Sequence, residues 1–168
     1  MRLPWLGCLL IVALTVAPAR GVAEDDPDFC RTIREVLQAG RTDFSRWRGE
    51  RRPSAPFGYD AKRTLPRAFD CRIEREGGET HYTCDWEYGE DDEAAARAAA
   101  DRFLEGILDC LSDKVQQVHP SREHQTGRRR TMLLIQDDAA YSAELRVSSG
   151  FLPKTSTWYV EFSANRRK

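Results

Sequence analysis

Apolar side chains recur at Phe29, Cys30, Ile33, Val36 and Leu37, a spacing that gathers them on one face of a helix. Pro27 suits the first turn of that helix and Gly40 its end. A second helical period begins after Asp91 and Asp92, whose carboxylates suit a helix N-terminus, and runs through Ala95, Ala99, Phe103, Ile107, Cys110 and Leu111. Elsewhere the period is two. Residues 68–88 read as two strands around Gly77-Gly78, a pair suited to the positive φ angles of a tight hairpin. Residues 132–136, 141–147 and 158–164 read as three more strands, with 137–138 and 148–157 as their connections. Residues 115–119 can add a short edge strand. The stretch 49–66, with Pro53, Pro56, Gly58 and Pro66, has no clear period and reads as a long surface crossing.

The hairpin fixes its own register. If Glu76 faces Glu79 across the turn, Cys71 falls opposite Cys84, Ile73 opposite Tyr82 and Phe69 opposite Trp86, so one face is apolar, while Glu74 meets His81 on the other. A slip of one residue would lose all these matches together. A Cys71–Cys84 disulfide follows, which leaves Cys30, at the start of the first helix, to pair with Cys110, at the end of the second. The expected fold is a two-layer α+β domain: an antiparallel sheet of about five strands, with two disulfide-linked helices on one face, in the order α-β-β-α-β-β-β.

The N-terminus adds a compartment. Arg2, an apolar stretch from Leu6 to Ala17, and the small-residue patterns Ala17-Pro18-Ala19 and Gly21-Val22-Ala23 read as a secretory signal peptide over residues 1–23. The apolar part is too short for a spanning helix, which needs roughly 20 residues. Residues 24–168 then form a single domain with no membrane span, periplasmic or secreted. Cys8 leaves with the signal, and the four remaining cysteines suit an oxidising compartment. Basic and acidic residues nearly balance, 26 against 27. That balance speaks against nucleic acid as the partner, since phosphate recognition shows as a basic excess. Arginine outnumbers lysine 22 to 4, but that skew also follows from a GC-rich bacterial genome.

Few residues point to chemistry. His119 and His124 are five apart with Pro120 between them, which is not the i, i+4 spacing of a helical zinc site. Neither a serine nucleophile elbow nor a phosphate-binding loop occurs, and the cysteines are committed to disulfides. No catalytic residue, metal or cofactor is expected. Two basic clusters stand out: Arg46, Arg48, Arg51 and Arg52 around Trp47, and Arg122, Arg128, Arg129 and Arg130. Guanidinium groups grip carboxylates and phosphates bidentately, so the second cluster, in a polar loop bordering a strand, is the candidate ligand or partner site. Phe151 and Leu152, ahead of Pro153 in an expected connection, are candidates for a wedge that inserts into a partner. The expectation is an exported, non-enzymatic binding protein, either an inhibitor or immunity-type protein acting on another envelope protein or a binder of anionic envelope glycans or lipids. The alternatives are a small periplasmic hydrolase whose site assembles only in three dimensions and a structural subunit of an envelope assembly.

Overall fold

The computed structural model describes residues 28–55, 57–120, 128–139 and 141–167. The signal-peptide expectation falls on residues outside this set. Helix α1 (Phe29–Gly40) leads through a 3-10 turn (Ser45–Trp47) into strands β1 (Arg48–Arg51), β2 (Gly58–Ala61), β3 (Asp70–Glu76) and β4 (Glu79–Tyr88). Helix α2 (Glu93–Leu111) follows, and then β5 (Val115–His119), β6 (Arg129–Asp138), β7 (Tyr141–Leu152) and β8 (Thr157–Arg167). All neighbouring strands are antiparallel, in the order β1-β2-β3-β4-β8-β7-β6-β5.

Among the described residues the fold is α+β with two helices, but the expectation of about five strands in the order α-β-β-α-β-β-β is wrong: the sheet has eight. Two of the extra strands lie inside the supposed crossing. β1 and β2 are four residues each and largely polar, so they carry no apolar alternation. β2 is held by its backbone ladder to β3, with Tyr59 opposite Ile73. The remaining strands also run longer than their apolar cores. The expected connection 148–157 shrinks to a turn at 153–156, because β7 and β8 pair as far as Leu152 opposite Thr157.

In the β3–β4 hairpin, Cys71 faces Cys84, Ile73 faces Tyr82 and Glu74 faces His81. Gly77 and Gly78 turn the chain at φ +58° and +86°, angles that side chains with a Cβ rarely adopt. The cysteines are bonded with their Cα atoms 4.1 Å apart. A second disulfide joins Cys30, in the first turn of α1, to Cys110, near the end of α2, across 80 residues of chain. Phe69 departs from the expected register. Its N–H donates to the carbonyl of Asp85 at 2.8 Å and its ring is 72% exposed, so it does not join Trp86 inside.

One face of the sheet carries the core. Phe103 of α2 is fully buried and meets Phe29 of α1, Trp86 of β4 and Phe162 of β8 at ring distances of 5.2–5.4 Å. Burying a side chain of this size stabilises the fold by roughly 1.5–3 kcal/mol. Leu133, Ile135, Leu145, Val147 and Ala164 continue the same layer. Phe44 is buried and stacks on Tyr82, and Trp47 meets the same ring edge-on at 5.3 Å. Trp47 of the first basic cluster thus packs against the core, while Arg52 of the same cluster pairs with Asp70. Both helices lie on this face, so among the described residues no helix covers the opposite face of the sheet.

Candidate functional site

Strand alternation sends every second side chain to the helix-free face. Register then lays one row across five strands: Asp70 faces Asp85, Asp85 faces Glu161, Glu161 faces Ser148, and Ser148 faces Arg130. Three carboxylates side by side would repel one another, and arginines interleave to offset this. Arg72 reaches Asp85 in a close ion pair, Glu74 at 3.2 Å and Asp70 at 3.4 Å. Arg52, from the β1–β2 connection, grips Asp70 with both terminal nitrogens and gives its Nε to Asp60 at 2.8 Å. Arg128 donates from Nη2 to Glu161 at 3.1 Å.

Compensation is unequal along the row. Burial works against ionised Asp70, but the hydrogen bonds and charge of Arg52, joined by Arg72, outweigh it and hold this carboxyl below its ordinary value. Asp85 is displaced the other way. Burial raises its proton affinity, Arg72 offsets only part of that, and the charges of Glu161 and Asp70 add to the rise. Arg72, opposed by its own burial, is raised by Asp85 and Glu74.

Above this row lies a cleft of about 440 Å³, walled by Phe69, Leu152 and Tyr159 and floored by Asp70, Arg72, Asp85, Glu87, Arg128 and Glu161. Its carboxylates outnumber its guanidinium groups. Phe69 and Leu152 are 72% and 40% exposed, large apolar surfaces flanking a charged floor. Tyr159 lies opposite Gly150, where an added Cβ would stand 3.0–3.2 Å from the tyrosine ring and hydroxyl. Arg128 lies over the Tyr159 ring, 5.9 Å from its centre.

The expected site residues divide. Arg128 and Arg130 reach the helix-free face, where Arg146 of β7 joins them. Arg129 points the other way and pairs with Asp101 of α2 at 3.3 Å. Arg122 and His124 lie outside the described residues. Phe151 and Leu152 belong to the end of β7 rather than to a loop. Phe151 packs on Trp158 with ring centres 5.5 Å apart, and Leu152 lines the cleft. Cys30, Cys71, Cys84 and Cys110 are all in disulfides. His119 ends β5 beside Gln117 at 3.2 Å. No group of three or more metal-ligating side chains occurs among the described residues, and no helix among them is long and apolar enough to cross a membrane. Arg72, Asp85, Arg146 and Glu161 were not legible as a site, since they come from four strands. One signal was available: consecutive arginines in a strand alternate faces, which separates Arg129 from its neighbours.

No protein-family model and no curated protein matches the chain.

Proposed function

We propose that this is an exported binding protein whose helix-free sheet face docks a protein partner. The observation that carries this reading is the cleft, in which two exposed apolar walls, Phe69 and Leu152, flank a floor with an excess of carboxylate. An apolar anchor beside fixed charge is what a protein interface needs for affinity and register. Charge complementarity specifies the occupant as a partner segment that places a basic side chain in the cleft, its alkyl stem against Phe69 and Leu152 and its cation toward Glu87. Binding fits better than proton transfer, because Asp70, Asp85 and Glu161 are each engaged by arginine. The two disulfides fit an oxidising compartment.

The test is capture from native envelope extract with the mature protein and with Phe69→Glu/Leu152→Glu, read by quantitative mass spectrometry. One stoichiometric protein retained by the parent and lost from the double variant supports the reading. Equal retention by both, or no retained protein, refutes it.

A further inference from the structure

The β6–β7 half of the same face has the opposite character from the cleft. Arg130 faces Ser148, and Arg146, two residues before Ser148, lies diagonally across from Arg130. Arg128, two residues before Arg130, crosses β7 to reach Glu161 on β8, so its guanidinium lies over the strand that carries Ser148. Three cations therefore gather around one hydroxyl, with Glu161 and Glu144 as the acidic groups that pair with Arg128 and Arg146.

Two polar atoms here are left over. Ser148 is 1% exposed, and its Oγ has no hydrogen-bond partner among the described residues. The Nε of Arg128 is buried and also lacks one. Burying such groups without partners is destabilising, a cost that sequences ordinarily avoid unless something else supplies the bond. The local charge agrees: Arg130 binds its proton less firmly than an ordinary arginine, through burial first and then through Arg128 and Arg146. An acceptor that brings negative charge would satisfy both orphaned atoms and relieve the crowding of cations.

We propose that Arg128, Arg130, Arg146 and Ser148 form an oxyanion site, taking a carboxylate or phosphate group of the ligand. The inference rests on the helix-free face being the binding face and adds the chemistry of its second half. The Ser148 hydroxyl and Arg128 Nε donate to the oxyanion, while Arg130 and Arg146 supply charge. Arg128 is 34% exposed, so rotation of its outer torsions opens Ser148 to the ligand. A partner that fills both halves presents a basic group to the cleft and an acidic group to this site.

The experiment is an amide NMR titration of the mature protein with inorganic phosphate and, separately, with propionate, at ionic strength held constant with chloride. Saturable shifts confined to residues 128–131 and 146–149 are expected. Arg130→Gln and Arg146→Gln should each weaken binding at least tenfold. Ser148→Ala should weaken it severalfold while the rest of the spectrum shows an intact fold, and Lys62→Gln, an exposed cation elsewhere, should leave it unchanged. Response to propionate alone assigns the site to an acidic side chain of a partner protein, and response to phosphate alone assigns it to a phosphorylated group. Non-saturating shifts spread over the basic surface, or saturable binding that survives Arg130→Gln and Arg146→Gln, would overturn the proposal. The titration needs no protein partner, so its outcome is independent of the capture experiment.

Discussion

Asp70 and Asp85 face each other across β3 and β4, yet neutralising them should move stability in opposite directions. Asp70 binds its proton less tightly in the fold than in the unfolded chain. Its stabilising contribution is therefore present above the unfolded value, near 3.9, and is lost as pH falls through the lower folded value. Asp85 binds its proton more tightly in the fold. Its contribution is full below the unfolded value and is lost as pH rises through the folded one, so at neutral pH its charge opposes folding. Asp70→Asn removes the anion that Arg52 holds with two nitrogens. Charge-assisted hydrogen bonds of this kind contribute about 1.5–3 kcal/mol. With the Arg52 and Asp70 side chains still 23% and 28% exposed, solvent screening reduces the expected loss to about 1–2 kcal/mol, or roughly 3–8 °C in Tm. Asp85→Asn keeps the shape, removes the central charge of the carboxylate row and leaves Arg72 with Asp70 and Glu74, so Tm at pH 7 should hold or rise. Differential scanning calorimetry of both variants at pH 7 and pH 4 tests this, and the gap between them should narrow at pH 4. A loss in Asp85→Asn at pH 7 equal to that in Asp70→Asn would refute the account of the row.

Three further outcomes follow from the same structure. Replacing Cys30 and Cys110 by alanine should cost about 4.5 kcal/mol and replacing Cys71 and Cys84 about 3 kcal/mol in urea titrations, because the bridges close 80 and 13 residues of chain respectively; the reverse order would show that the reduced chain keeps the helices together unaided. Gly150→Val should displace Tyr159 and cost about 1–3 kcal/mol, visible as a change in near-ultraviolet circular dichroism, whereas an unchanged tyrosine signal would mean that the close approach is not maintained in solution. Phe69→Glu and Leu152→Glu should change Tm by less than about 1 kcal/mol equivalent, since both side chains lie on the surface; a larger loss would assign them to the fold rather than to a partner.

What could be read from sequence depended on how locally each feature is encoded. The β3–β4 register follows from a glycine pair and two cysteines within a short span, and α1 from five apolar residues on one face. β1 and β2 escaped because Arg48, Gly49, Glu50 and Arg51 have no apolar alternation, and their place is set by backbone ladders to each other and to β3, with Arg52 bridging Asp60 and Asp70 beside them. Phe69 misled because an aromatic residue next to a strand reads as core, while its backbone bond to Asp85 turns it outward. The helix-free face was hidden for a different reason. Asp85 of β4 and the Ser148–Arg130 pair of β7 and β6 join one row only once β8 brings Glu161 between them, and no pattern within a strand specifies which other strand it adjoins.

That insertion also dictates an order of assembly. β1 to β4 can pair among themselves, as can β5 to β7, but β8, the last described strand along the chain, is the piece that joins the two groups. Until it arrives, β4 and β7 each present an open edge, with Trp86, Cys84 and Val147 uncovered beside it, the kind of edge that recruits strands from other molecules. A growing chain therefore carries the β1–β4 group with an open edge while residues 89–156 are made, and joins it to the second group only when β8 pairs with β4 across a long stretch of chain, a topology associated with slow folding. A chain cut short before residue 157 would keep every residue of both helices and seven of the eight strands, yet would lack the strand that makes them one sheet.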